Sequence, residues 1–159
     1  MGPLGSTLRP ARFEDLDALS QLAFRSKASW GYDDAFMTAC RAELTFHADH
    51  LRGSFVYLHE GHGDERYGGP LGFYRLEVSV PSAEVGALFV APEAMRQGIG
   101  RRLWQHLEQT ARAAGVEEIR LDSDPHAERF YLAMGMRRQG EAPSLSIPGR
   151  MLPRMVKRL

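Results

Sequence analysis

One stretch decides the fold of this chain: residues 85–104, VGALFVAPEAMRQGIGRRLW. Its first six residues are apolar or glycine, which is typical of a buried strand. Pro92 has no backbone N–H to give to a sheet, so the strand should end near it. After Gly98, apolar residues recur at Ile99, Leu103, Leu107, Ala111 and Ala114. This spacing predicts an amphipathic helix of about four turns, preceded by a loop.

The loop between this strand and this helix has the character of an anion site. The first N–H groups of a helix have no partner within it, and the helix dipole is positive there. Gly98 and Gly100 remove side chains that would keep a ligand off the backbone, and Arg96, Arg101 and Arg102 add positive charge. The stretch therefore predicts a binding site for a diphosphate at the start of the helix.

Two common diphosphate motifs do not fit this loop. A dinucleotide-binding fingerprint would need a third glycine where this chain has Leu103, and it would open a strand–helix–strand unit. A P-loop would need Gly-Lys-Ser/Thr, and no such tripeptide occurs in the sequence. The pattern that remains is Arg/Gln-x-x-Gly-x-Gly/Ala, of which residues 96–100, Arg-Gln-Gly-Ile-Gly, carry the Gly-x-Gly part after an Arg-Gln pair.

This loop, preceded by Leu-Phe-Val-x-Pro, resembles the one that holds the pyrophosphate of coenzyme A in the GNAT superfamily of acyl-CoA-dependent N-acyltransferases. A second motif, DPHAERFYLAMGM at residues 124–136, looks like the family's Asn-x-x-Ala-x-x-Phe-Tyr-x-x-x-Gly-Phe. Asp124 stands at the asparagine, which often contacts the cofactor, and Met136 stands at the last phenylalanine. Asp124 or His126 would replace that contact. Within that family, the chain is similar in its motifs to a branch of small bacterial proteins.

The order of predicted elements agrees with this resemblance, which covers nearly the whole chain. We predict strands near residues 7–10, 54–58, 71–80, 84–90, 119–122, 136–139 and 151–157, and helices near 13–29, 34–44, 99–114 and 125–135. The resemblance implies an α+β fold of GNAT type, a mixed twisted sheet flanked by helices, in a single domain over residues 7–159. Residues 1–6, MGPLGS, resemble a remnant of an expression vector and are set aside.

Composition narrows the function classes. A formal net charge of zero argues against nucleic acid as a partner, and no apolar run approaches the roughly 18 residues of a membrane helix. Cys40 is the single cysteine, so there is no disulfide framework, and we expect a cytoplasmic protein. The pairs His47/His50 and His59/His62 have a spacing that a metal could use, but no carboxylate or thiol ligand follows either pair at a suitable spacing, so no metal site is expected.

The resemblance implies acetyl-CoA as the cofactor. In the family, two neighbouring parallel strands separate after a bulge, and pantetheine pairs with the exposed backbone; Gly86 would suit such a bulge. The implied cofactor-binding residues are Leu88, Phe89, Val90, Arg96, Gln97, Gly98, Ile99, Gly100, Arg101, Asp124, His126 and Tyr131.

The implied reaction is transfer of an acetyl group to a primary amine by direct attack in a ternary complex. An ammonium group has no lone pair, so a base is needed. Glu84, where many family members carry a glutamate, is the candidate base, directly or through water. Tyr131, whose hydroxyl the family often places near the cofactor sulfur, is the candidate acid. A backbone N–H near Leu88 or Phe89 would stabilise the oxyanion.

The acceptor, a small-molecule or peptide amine, is expected where the first two predicted helices meet the last loop. The candidate substrate-binding residues there are Arg25, Trp30, Tyr32, Tyr74 and Arg150. Dimerisation is common in the family, so a homodimer stays open. The altered asparagine position also keeps an alternative open, a non-catalytic acyl-CoA sensor or protein-interaction module on the same fold.

Overall fold

A computed structural model describes residues 6–61 and 69–159, so most of the turn predicted at residues 61–69 lies outside the described part. The strands are β1 (Ser6–Pro10), β2 (Phe55–Gly61), β3 (Pro70–Ser79), β4 (Ser82–Val90), β5 (Glu118–Asp122), β6 (Arg137–Pro143) and β7 (Met151–Arg158). The helices are α1 (Leu16–Ala28), α2 (Asp34–Cys40), α3 (Ala48–Gly53), α4 (Ile99–Ala113) and α5 (Glu128–Ala133).

The strands form one sheet in the order β1-β2-β3-β4-β5-β7-β6. Neighbouring strands are antiparallel except β4 and β5, which are parallel. The parallel pair is connected through α4, because parallel neighbours need a crossover rather than a tight turn. The predicted mixed sheet flanked by helices is therefore confirmed.

Helix α4 packs against the middle of the sheet through its predicted apolar stripe. Ile99, Leu103, Leu107 and Ala111 are all buried. Gly72 of β3 lies directly beneath this helix, where an added Cβ would come within 2.9 Å of the Leu103 side chain. The close approach explains why a strand interior tolerates glycine there.

Helix α1 buries the stripe predicted for it, Leu16, Leu19, Leu22, Ala23 and Ser26. Helix α2 is shorter than predicted and ends at Cys40 instead of Leu44. The chain tightens there, because the N–H of Arg41 donates to the carbonyl of Thr38, three residues back instead of four, at 3.3 Å. Strand β1 begins at Ser6, one residue before the predicted domain. Among the helices that the structure describes, none is long and apolar enough to cross a bilayer.

Candidate active site

Strands β4 and β5 run side by side only at their first residues. Parallel pairing joins residues 82–84 to residues 118–120, whereas the pairing of β4 with β3 continues to Val90. The register between β3 and β4 shifts between Arg75 and Leu76, whose partners lie on either side of Gly86. Gly86 is therefore the extra residue of a β-bulge, as predicted. A gap opens between β4 and β5 after the bulge.

The backbone of β4 beyond the bulge divides its polar groups between β3 and the gap. The N–H of Ala91 donates to the carbonyl of Leu71 at 2.8 Å, so it points toward β3. Because backbone groups alternate sides along a strand, those of Phe89 also point toward β3. The N–H and C=O groups of Leu88 and Val90 point the other way, toward the gap.

The start of α4 presents backbone donors that the helix itself does not use. Arg102 is the first residue whose N–H bonds along the helix, to the carbonyl of Gly98 at 3.1 Å. The N–H groups of Ile99, Gly100 and Arg101 therefore have no partner within the helix. The adjoining residues Arg96, Gln97, Gly98 and Arg101 are exposed.

Backbone conformation and packing explain the two glycines of this loop differently. Gly98 caps α4 with a φ of 81°, a left-handed conformation that favours glycine. Gly100 lies against α5, since an added Cβ would come within 3.0 Å of the Phe130 ring. Arg96 also has a positive φ, 65°, which is uncommon for a non-glycine residue. The loop thus has a defined shape, and the structure adds a packing reason for Gly100.

Arg102 does not share the exposure of its neighbours. Its Nη1 lies 3.0 Å from Nε2 of His59, a buried residue of β2. Burial, followed by the charge of Arg102, lowers the pKa of His59. The imidazole therefore accepts from Arg102 as the neutral form, with its proton on Nδ1 toward the Glu60 carbonyl at 3.1 Å.

Tyr131 lies in α5 among aromatic rings. Its ring packs edge-on against Trp104 and Phe130, with centroid distances of 5.9 and 5.1 Å. Burial raises the pKa of Tyr131 well above its usual range, and the charge of Asp124 raises it further. The hydroxyl is therefore protonated near neutral pH and can act as a hydrogen-bond donor.

Glu84 occupies the last paired position before the gap. Both of its carboxylate oxygens accept from Arg154 of β7, at 2.7 and 2.8 Å, and Arg154 also donates to Asp122 at 2.9 Å. The Glu84 side chain is 43% exposed, so it remains accessible from solvent. Arg154 was not anticipated from the sequence, because its partners lie 70 and 32 residues away.

Three loops meet at a group of side chains that we call the Tyr32 cluster. Its members are Lys27, Trp30, Tyr32, Asp124, His126 and Arg150. The Tyr32 hydroxyl accepts from Arg150 at 2.6 Å and donates to Asp124 at 2.8 Å. The Trp30 ring stacks on His126 at 5.1 Å. The cluster connects the end of α1 to the loops that follow β5 and β6.

Asp124 is the anion of this cluster. It accepts from the backbone N–H of His126 at 2.9 Å and lies 3.8 Å from the Lys27 ammonium. Burial alone would raise the pKa of the Asp124 carboxyl, but hydrogen bonds from His126 and Tyr32 outweigh burial and hold that pKa below its usual range. Burial and the neighbouring Asp124 raise the pKa of Tyr32 to about 12.

The structure brings together three of the five predicted acceptor residues. Trp30, Tyr32 and Arg150 belong to the Tyr32 cluster, whereas Arg25 pairs with Glu93 at an exposed position. Tyr74 is fully buried, and its hydroxyl lies 2.9 Å from both His106 and Thr110 of α4.

Sequence reasoning missed Lys27 and Phe36, whose ring stacks on Tyr32 at 4.0 Å. A signal for Lys27 existed, because this chain has two lysines against eighteen arginines. Within residues 6–61 and 69–159, no three His, Cys, Asp or Glu side chains are grouped so that they could hold a metal ion.

Comparison with known proteins gives a family match and similar folds. Residues 14–136 match the model of the acetyltransferase (GNAT) family. No curated protein matches the chain significantly. The PaiA N-acetyltransferase from Thermoplasma acidophilum, in complex with coenzyme A, has a similar fold, with a TM-score of 0.78 and 18% identity over 98% of this chain and 100% of that chain.

Two further solved structures have the same fold. A GCN5-related N-acetyltransferase from Rhodopseudomonas palustris has a TM-score of 0.76 and 22% identity over 100% of this chain and 99% of that chain. The ribosomal-protein-S18-alanine N-acetyltransferase from Escherichia coli has a TM-score of 0.70 and 19% identity over 96% and 93%. At these identities the similarity concerns the fold.

Proposed function

The chain belongs to the GNAT acetyltransferase family, and from this premise we propose that it transfers an acetyl group from acetyl-CoA to a primary amine. One observation carries the proposal. β4 separates from β5 after Glu84, and the loop that follows β4 leads into the N–H groups that begin α4 and have no partner within the helix. The gap is suited to a chain with backbone-like polar groups, and the helix start is suited to a diphosphate.

The residues around the gap fit the two polar parts of coenzyme A. The N–H groups of Ile99, Gly100 and Arg101 would hold the diphosphate, and Arg96 would add charge. The backbone groups of Leu88 and Val90 would pair with pantetheine as an added strand. Bound in this way, acetyl-CoA supplies an activated thioester. The backbone of Phe89 is directed toward β3, so Phe89 would contribute through its side chain.

Glu84 would receive the proton that the amine must lose. Arg154 fixes the carboxylate in place through two hydrogen bonds. Each oxygen keeps a further lone pair with which it can accept from the amine or from a water between them. Glu84 would therefore orient the amine as well as act as base, directly or through that water.

Tyr131 would supply the proton needed where the carbon–sulfur bond breaks. Its raised pKa keeps the hydroxyl protonated, so it can donate to a departing thiolate. The N–H of Leu88, which faces the gap, is the better donor to the acyl oxygen, because the N–H of Phe89 faces β3. The amine would then reach the gap from the side of the Tyr32 cluster, past Asp124.

The direct test is amine-dependent release of thiol from acetyl-CoA. Purified protein is mixed with acetyl-CoA and, separately, with amino acids, their amides, polyamines and peptides with free N-termini. Transfer gives thiol and N-acetyl product in equal amounts, the latter measured by mass spectrometry. Protection from thermal unfolding by coenzyme A without thiol release from any amine would instead indicate a non-catalytic acyl-CoA-binding module.

A further inference from the structure

We propose that the amine acceptor also carries a carboxylate, and that Arg150 and Lys27 bind this carboxylate. The inference rests on the proposed acetyl transfer and specifies the class of acceptor at the Tyr32 cluster. It follows from the charge balance of this cluster, from the donors that Arg150 keeps free, and from an opposite charge excess at the neighbouring Glu84.

The Tyr32 cluster contains more positive than negative charge in a mostly buried setting. The side chains of Lys27, Arg150 and Asp124 are only 14%, 16% and 16% exposed. In the described part of the chain, Asp124 is the one carboxylate within 4.0 Å of either cation, at 3.8 Å from Lys27 and 3.5 Å from Arg150. Because one carboxylate offsets the charge of only one of these two largely buried cations, an anionic group from a ligand would complete the cluster.

Arg150 is held in place while part of its guanidinium stays available. Its contacts with Tyr32 and Asp124 both involve Nη2. The guanidinium also lies against the rings of Tyr32 and Phe36, with distances of 5.2 and 4.8 Å to their centroids. A guanidinium has five N–H donors, so Nη1 and Nε can still donate to a carboxylate in a fixed orientation.

An excess of negative charge lies close to the Tyr32 cluster, where β5 ends at Asp122 and β4 carries Glu84. Glu84 and Asp122 share one guanidinium, that of Arg154, and their side chains are 43% and 38% exposed. Asp122 and Asp124 are two residues apart, or about 7 Å in an extended chain. An acceptor between the two groups would place its amine near Glu84 and Asp122 and its carboxylate near Arg150. A polyamine would bring a second positive charge toward Lys27 and Arg150.

Matched acceptors that differ only in the carboxylate provide the test. Glycine, β-alanine and 4-aminobutyrate are each compared with their carboxamides, and kcat/KM is measured by thiol release for wild type, Arg150→Gln and Lys27→Met. The acid-to-amide ratio of kcat/KM does not depend on the fraction of folded enzyme. Arg41→Gln is the control, because Arg41 is exposed over the Phe24 ring and its replacement removes the same charge.

The wild-type protein should prefer at least one acid over its amide by about tenfold or more, and Arg150→Gln should remove most of this preference. The expected loss is roughly 10- to 100-fold, the contribution of a charge-assisted hydrogen bond. Lys27→Met should reduce the ratio in the same direction, and Arg41→Gln should leave it unchanged. If the enzyme acetylates amines but uses the acids and their amides equally well, this inference is wrong while the proposed acetyl transfer stands. The same holds if the acid-to-amide ratio is unchanged in Arg150→Gln. No thiol release from any amine overturns the proposed acetyl transfer and this inference with it.

Discussion

Arg154 of β7 donates to both carboxylate oxygens of Glu84 on β4, at 2.7 and 2.8 Å, and so joins the two strands that flank β5. The hydrogen bond to Glu84 raises the pKa of Arg154 beyond its already high value, more than burial lowers it. The guanidinium is therefore charged at every pH at which the protein is folded. The Glu84 carboxylate is thus held in a fixed orientation where the gap begins.

Replacing this carboxylate tests the proposed base. Glu84→Gln keeps the size of the side chain but cannot take a proton from the amine, so kcat should fall by roughly 10²-fold. The change is followed by thiol release under saturating acetyl-CoA. The matched control is Glu77→Gln, because Glu77 is the cross-strand partner of Glu84 on β3 and pairs with Arg75 instead. Equal activity of wild type and Glu84→Gln across the pH profile would reject Glu84 as the base.

Replacing Tyr131 separates a role in the reaction from a role in binding. Tyr131→Phe keeps the ring between Trp104 and Phe130 but removes the hydroxyl. We expect kcat to fall at least tenfold, while the Kd of coenzyme A by calorimetry changes little. Burial raises the pKa of Tyr131, so the hydroxyl should stay protonated up to about pH 10. The wild-type rate should therefore not fall between pH 8 and about 10 through ionisation of Tyr131, and the pH profiles of wild type and Tyr131→Phe should have the same shape in this range. A selective loss of coenzyme A affinity would place the hydroxyl in ground-state binding.

The gap and the start of α4 could be predicted because their signals are local in sequence. Residues 85–104 contain the strand, the bulge glycine, the cap and the first turns of the helix within one short segment. The Tyr32 cluster depends instead on contacts between distant positions. Arg150 and Tyr32, for example, are 118 residues apart. Both are acceptor candidates from the sequence, but no periodicity in the sequence predicts that Arg150 donates a hydrogen bond to Tyr32.

Tyr74 shows a different limit of the sequence. Residues 71–74 are all buried, since helices cover both faces of the sheet at β3. A strand buried on both faces does not alternate between apolar and polar residues, so its pattern cannot tell which face a tyrosine occupies. Tyr74 was therefore predicted beside the acceptor, whereas its hydroxyl contacts α4.

Comparing alanine substitutions at two glycines of similar conformation tests whether the loop before α4 binds coenzyme A. Gly98 and Gly115 flank this helix with φ of 81° and 86°, and an added Cβ meets no atom within 4 Å at either position. Alanine should destabilise the protein by about 1–2 kcal/mol at each site, because a Cβ disfavours this conformation. Only Gly98→Ala should also weaken coenzyme A binding, by roughly tenfold, the contribution of one charge-assisted hydrogen bond. Equal affinities in the two variants would contradict a diphosphate site at Gly98.

The neutral His59 beside Arg102 should make stability depend on pH. Burial, and then Arg102, lower the pKa of His59 from 6.5, so the unfolded chain takes up a proton at a higher pH than the folded protein does. The free energy of unfolding should therefore decrease as the pH falls from about 6.5 toward 5. His50 and His106, whose pKa values burial also lowers, contribute in the same direction. Carboxyl groups with lowered pKa values lose their contribution only below about pH 4.5, so they do not obscure this range. Urea unfolding at pH 7, 6 and 5 should show a smaller decrease for His59→Gln than for wild type, and an identical decrease would exclude His59 as a source.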